Sequence, residues 1–150
     1  MILNTLIVFI IPWIIALLHL NRKDRLILPL MAPFSSVIAF VINDFGHLFG
    51  FWELTFVSKN WEIAAALPFD MGLYPILSCY MIYFIRKNGH PYIMILIMTT
   101  FTTLSETVFV FFGRVIYGNG WNNYWTFLSY LVPYVLVYVY YLYLRKIVRL

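Results

Sequence analysis

Charged side chains are scarce in this sequence. Asp, Glu, Lys and Arg together make up 11% of its 150 residues, whereas 63% are hydrophobic. A soluble domain carries charge on about a quarter of its residues, because charged side chains cover its surface. The composition therefore excludes a soluble globular protein and predicts a membrane protein.

Cysteine is scarcer still, since Cys79 is the single one and lies inside an apolar run. One thiol excludes a disulfide within the chain and a metal site built from cysteines. The sequence also lacks a Gly-rich phosphate loop, a Gly-x-Ser-x-Gly elbow and a His-Glu-x-x-His motif. We therefore predict no metal site and no cofactor. Nucleic acid is not a predicted partner despite the net charge of +4, because the basic residues lie in short clusters between apolar runs.

What the sequence does contain is five apolar segments, at about 2–20, 26–42, 63–85, 92–112 and 125–144. Each is close to the roughly 20 residues that cross about 30 Å of hydrocarbon. The fold class predicted is an all-α integral membrane bundle of five transmembrane helices, with residues 1–150 as a single domain. Residues 43–62 mix aromatic and charged residues and predict an interfacial connector, and Pro68 and Pro75 predict a kink in the third span.

The distribution of basic residues predicts how the bundle is oriented. Five spans place the two termini on opposite sides of the membrane, and only Lys59 and Arg114 fall on the side opposite the C-terminus. The positive-inside rule then predicts an N-terminus outside and a cytoplasmic C-terminus. The predicted cytoplasmic side carries Arg22, Lys23, Arg25, Arg86, Lys87, Arg145, Lys146 and Arg149.

Two carboxyl groups lie within the predicted spans, Asp70 in the third and Glu106 in the fourth. An ionisable residue at such a depth indicates a functional site. Thr102 and Thr103 precede Glu106 by four and three residues and so share its helical face. Both acids are predicted to lie about 6 Å outward of the midplane, so we expect them to meet between antiparallel neighbours and share a proton. The alternative is that they only hydrogen-bond across the bundle as structural contacts.

Further candidates surround these acids on the predicted outer side. Asp44 lies at the outer end of the second span, and Tyr130 and Tyr134 begin a tyrosine-lined face on the fifth. Trp121 and Asn122 belong to a loop rich in turn residues before that span. Together these residues predict an outward-facing polar pocket between the second and fifth spans.

The same residues carry a resemblance to a known group of proteins. Asp44, Asp70-x4-Pro75, and Glu106 followed by Gly118-Asn119-Gly120-Trp121-Asn122-x2-Trp125 resemble a family of small uncharacterised multi-pass membrane proteins of spore-forming Firmicutes. The resemblance runs from the second span to the fifth. It implies a bacterial cytoplasmic-membrane location and a shared polar site, and it implies no established activity.

The function predicted is binding of a small amphiphile or cation in the outward-facing pocket. Two alternatives stay open. One is a membrane-embedded enzyme in which protonated Glu106 or Asp70 acts as a general acid on an isoprenoid or lipid. The other is a structural or assembly subunit that pairs with another membrane protein. Expected partners are the lipid bilayer, an amphiphilic ligand, and further subunits in a homo- or hetero-oligomer.

Overall fold

The structure, a computed structural model, describes residues 5–57 and 61–148. Its five long helices confirm the predicted all-α architecture, and each is long and apolar enough to cross a membrane. The predicted start of the first span at residue 2, and also Lys59 and Arg149, lie outside the described residues. The helices are α1 (Leu6–Lys23), α2 (Ile27–Leu48), α3 (Glu62–Asn88), α4 (Pro91–Phe111) and α5 (Asn123–Val148).

Helix α3 is irregular in the half where prolines predicted a kink. It is α-helical over Glu62–Pro68, π-helical over Phe69–Leu73 and α-helical again from Tyr74. Pro75 has no N–H to donate to the carbonyl four residues earlier, that of Met71. The indole of Trp13 on α1 donates to this carbonyl instead, at 2.8 Å. A side chain of a neighbouring helix thus replaces the missing backbone bond, as a transmembrane proline requires.

Helix α1, which has π-helical stretches at Leu6–Ile10 and Ala16–Leu20, also approaches α3 closely at Gly72. A Cβ at Gly72 would lie 2.3 Å from the carbonyl oxygen of Val8. Small residues allow such backbone contact between membrane helices.

The most extensive helix contacts join α2 to α3 and α4 to α5. A buried hydrogen bond of 2.7 Å links Ser35 of α2 to Ser78 of α3. At one end of the bundle, Arg86 forms an ion pair with Asp24 in the turn between α1 and α2. We call this end, which also carries Arg145, the basic end.

At the opposite end, two connectors form a small antiparallel sheet. Strand β1 (Trp52–Leu54) pairs with β2 (Val115–Tyr117), with Trp52 opposite Tyr117. The sequence did not predict these strands. We call this end the sheet end.

The predicted start of the connector at residue 43 is wrong, because residues 43–48 continue α2. Gly46 alone weakens the helix there, and its missing side chain makes room for the ring of Trp52. A Cβ at Gly46 would lie 1.9 Å from that ring. The longer α2 thereby supports the sheet.

Candidate functional site

Glu106 accepts hydrogen bonds on both carboxyl oxygens at the sheet end. The hydroxyl of Tyr117 donates to Oε1 at 2.8 Å, and the hydroxyl of Tyr130 donates to Oε2. Thr126 Oγ1 lies 3.5 Å from Oε1. The carboxyl group of α4 is therefore bound by side chains from both α5 and the sheet.

The hydrogen bonds that link Trp121, Thr126 and Tyr117 to Glu106 all run in one donor direction. Trp121 Nε1 donates to Thr126 Oγ1 at 2.9 Å, and the Thr126 hydroxyl lies 2.9 Å from the Tyr117 hydroxyl. Tyr117 has a single hydroxyl hydrogen, which it donates to Glu106, so Thr126 is the donor in its contact with Tyr117 and accepts from the Trp121 indole. Every hydrogen along this chain points toward the carboxyl group.

Two tyrosines complete this arrangement. Burial and the neighbouring Glu106 raise the pKa of Tyr117 above its usual value, which keeps its proton available for donation. At the other carboxyl oxygen, the hydroxyl of Tyr74 lies 3.1 Å from that of Tyr130. Both carboxyl oxygens of Glu106 thus have hydroxyl partners, and one of these partners, Tyr130, has a further hydroxyl beside it.

Asp70 has a separate environment. Its side chain is 1% exposed and accepts a hydrogen bond from Asn43 of α2. In the described parts of the chain no hydrogen bond joins Asp70 to Glu106, so the expected pair with a shared proton is wrong. The physical reason is that the π-helical turn of α3 lies against α2, whereas α4 packs chiefly on α5.

A cavity of about 310 Å³ lies beside Glu106, enclosed mostly by apolar side chains. Its polar wall is formed by Asn43, His47, Tyr74, Thr102, Ser105, Glu106 and Tyr130. A second cavity of about 40 Å³ adjoins it and shares Asn43, Trp52, Tyr74, Glu106 and Tyr130 with the first. The larger volume is at the lower end of the range of about 300–1,000 Å³ found for small-molecule sites.

The larger cavity extends between α1 and α4, which make no extensive contact. Three of its wall residues are more than a third exposed, namely Ile7 at 52%, Phe101 at 53% and Phe109 at 39%. These side chains lie on exposed faces of helices that are long and apolar enough to cross a membrane. The cavity therefore opens sideways as well as toward the sheet.

An aromatic cluster covers the site from the sheet end. The Trp121 ring stacks on Phe51 with centroids 4.7 Å apart and meets Trp52 edge-on at 4.9 Å. Trp52 also lines both cavities. Asn122 lies outside them and accepts the backbone N–H of Tyr124 at 2.9 Å, at the start of α5.

The predicted site residues thus divide into two groups. The structure brings Thr102, Tyr130 and Glu106 to the larger cavity and Tyr134 to the smaller one. Thr103 donates to the carbonyl of Thr99 in its own helix at 2.8 Å. The cavities are not lined by Asp44, Asp70, Thr103, Trp121 or Asn122.

Sequence reasoning missed Asn43, Tyr74, Tyr117 and Thr126. Asn43 directly precedes Asp44, and Tyr74 follows Asp70 by one helical turn, so helical spacing could have suggested both. Thr126 stands in the first turn of the last span. Tyr117 gave no signal, because its approach to Glu106 depends on the pairing of β2 with β1.

Glu106 has no basic partner within residues 5–57 and 61–148, whose ion pairs join other groups. His47 on the cavity wall faces Glu62, with Nδ1 3.3 Å from Oε2. The described residues contain no group of three or more His, Cys, Asp or Glu side chains that could hold a metal ion. The site therefore combines an apolar cavity with one hydrogen-bonded acid.

No protein-family model, curated protein or solved structure matches the chain. The resemblance to membrane proteins of spore-forming Firmicutes accordingly stays a prediction.

Proposed function

We propose that this chain is a membrane binding protein for a small amphiphile with a cationic head. The apolar chain of the ligand lies between α1 and α4, and its head meets Glu106. The observation that carries the proposal is an acid without a basic partner at the polar wall of a mostly apolar cavity. Charge-assisted hydrogen bonds are about twice as strong as neutral ones, so an ammonium head suits this acid best.

The tyrosines beside Glu106 support the same ligand class. Tyr74 and Tyr130 line the cavity with their rings 5.7 Å apart. Tyrosine faces attract cations, and their hydroxyl oxygens accept hydrogen bonds from an ammonium group. A ligand with a carboxylate head would instead face the carboxyl group of Glu106, and His47, the basic side chain on the cavity wall, faces Glu62.

The two alternative functions have less support. A general acid must reach an atom of its substrate, whereas both oxygens of Glu106 already have hydroxyl partners within the chain. A subunit that pairs with another membrane protein through the polar face of α4 would leave that face without partners when alone, yet Thr102, Thr103 and Glu106 have partners within the chain. Binding therefore explains the site better than either alternative.

The proposed orientation places the sheet end outside and both the basic end and the C-terminus in the cytoplasm. Among the described residues Arg114 is the only Lys or Arg at the sheet end, which supports this orientation. Asn88→Cys and Asn123→Cys, at exposed positions on opposite ends, provide labelling sites, since native Cys79 is fully buried. A membrane-impermeant thiol reagent added outside should label position 123 and spare position 88, and the reverse result refutes the orientation. The cytoplasmic membrane of a bacterium is the location that the resemblance implies.

The binding proposal is tested with three probes that share one alkyl chain: decylamine, decanol and decanoate. Native mass spectrometry of detergent-solubilised protein should show decylamine retained in preference to the other two. Glu106→Gln keeps the shape and removes the charge, and it should reduce decylamine retention about tenfold, the effect of losing one charge-assisted hydrogen bond.

Asp44→Asn is the matched control. Asp44 is an acid at the same end of the bundle, but it does not line the cavities. The variant should leave retention unchanged. Equal loss in both variants, or equal retention of all three probes, would refute the proposed head-group recognition.

A further inference from the structure

A third cavity, with different chemistry, lies at the basic end of the bundle, opposite to the sheet end that holds the Glu106 site. It has a volume of about 340 Å³ and lies between the turn that joins α3 to α4 and the last turns of α5. Arg86 lines one side and Arg145 the other. Two guanidinium groups thus border one cavity at the end of membrane-spanning helices.

Both arginines are positioned by local structure. Arg86 is held by its ion pair with Asp24, and its side chain is only 29% exposed. One ion pair leaves several of the five N–H donors of a guanidinium group for a ligand. Arg145 follows Tyr138, Tyr141 and Leu142 by seven, four and three residues, so helical spacing brings all four to one face of α5.

The turn between the helices leaves the cavity accessible. Gly89 adopts a left-handed conformation with φ of 74° and donates to the carbonyl of Ile85 at 2.9 Å, which ends α3. A Cβ at Gly89 would meet nothing within 4 Å. The turn therefore forms an open edge beside Arg86.

The lining combines charged and apolar side chains. Ile85 and Leu142 provide hydrocarbon surface next to the arginines, and Tyr138 and Tyr141 contribute two aromatic rings near the end of the helix. Tyrosine is enriched at the headgroup level of membranes, where one side of the ring is apolar and the hydroxyl is wet. A ligand matching this lining carries an anionic group joined to an apolar chain.

We infer that this cavity binds the phosphate of an anionic phospholipid between Arg86 and Arg145, with an acyl chain passing over Leu142. Guanidinium groups bind phosphate oxygens in a bidentate manner, and basic pockets between membrane helices select anionic head groups. Asp24, the carboxylate that pairs with Arg86, does not line the cavity, and neither does any other carboxylate among the described residues. This site is independent of the proposed amphiphile site.

The test uses protein exchanged into micelles with equal amounts of phosphatidylglycerol and phosphatidylcholine, with retained lipids counted by native mass spectrometry. The native protein should retain phosphatidylglycerol preferentially. Arg145→Gln should lower that retention about tenfold, the effect of losing one charge-assisted contact. Arg145→Lys, which keeps the charge and loses the planar fork, should give an intermediate loss.

Lys146→Gln is the matched control, because it removes the same charge one residue away and does not line the cavity. Retention within about twofold of the native level is expected for this control, since surface charges act weakly and are screened by salt. Equal losses in Arg145→Gln and Lys146→Gln would show general surface attraction and overturn the site. Displacement of the lipid by millimolar inorganic phosphate would assign the cavity to a soluble anion and overturn the lipid.

Discussion

Removing the Tyr117 hydroxyl tests whether the sheet stabilises Glu106. In Tyr117→Phe the ring keeps its place in β2, but Glu106 Oε1 loses a donor at 2.8 Å and retains only the longer contact to Thr126 at 3.5 Å. A hydrogen bond to a charged group contributes about 1.5–3 kcal/mol. For a chain of this length a loss of about 2 kcal/mol lowers the melting temperature by roughly 4–8 °C. Thermal unfolding in detergent, followed by tryptophan fluorescence, measures the change.

The pH dependence of that difference provides a sharper check. The pKa of Tyr117 is raised, first by burial and then by Glu106, whereas an unfolded tyrosine ionises near pH 10. Above about pH 10 the unfolded state loses a proton that folded Tyr117 keeps, so the stability contributed by this hydroxyl falls as the pH rises. The melting temperatures of the native protein and Tyr117→Phe should therefore converge above pH 10.

Tyr124→Phe is the control for both measurements. It makes the same chemical change at the sheet end, but Tyr124 is 65% exposed. Its melting temperature should match that of the native protein. If Tyr124→Phe and Tyr117→Phe shift the melting temperature equally, or if the Tyr117→Phe difference is constant with pH, the reasoning about Glu106 is refuted.

Two further predictions concern helix packing. Gly72→Ala places a methyl group 2.3 Å from a backbone oxygen of α1 and should lower the free energy of unfolding by about 1–3 kcal/mol; an unchanged melting temperature would contradict the close approach. Ser35→Ala leaves the buried hydroxyl of Ser78 without its partner, so each single variant should be less stable than the double variant Ser35→Ala with Ser78→Ala. A double-mutant cycle by thermal unfolding measures this, and additive losses would exclude the bond.

The helices were predictable because a span is encoded locally. Apolar runs of the required length give five helices. Pro68 and Pro75, close together in one span, predict an irregular α3, whereas Pro33 and Pro133 lie inside continuous α-helices. The predicted end of α2 is too early, because the mixture of charged and aromatic residues from position 43 indicates a connector, whereas the helix continues to Leu48. A charged residue at a membrane boundary does not end a helix when the chain can continue helical into the polar region.

The partners of the acids were not predictable from spacing alone. Sequence places Asp70 and Glu106 at a similar depth, but the direction of each side chain also depends on helix rotation, and the π-helical turn at Phe69–Leu73 changes that rotation. Asp70 accepts its hydrogen bond from Asn43 of α2, and not from a side chain of α4, the helix that carries Glu106. Long-range pairing of two three-residue strands brings Tyr117 to Glu106, and no local pattern encodes such short strands.

The small sheet also has a consequence for the order of assembly. Strands β1 and β2 belong to connectors separated by the whole of α3 and α4, so they can pair only after both helices have entered the membrane and returned the chain to the same side. Contacts of such long sequence separation form late, because the loop between them must be closed first. Until then Glu106 lacks the Tyr117 hydroxyl, and the cavity beside it lacks Trp52 on its wall. An incompletely inserted chain therefore lacks both the sheet and the complete wall of the cavity beside Glu106.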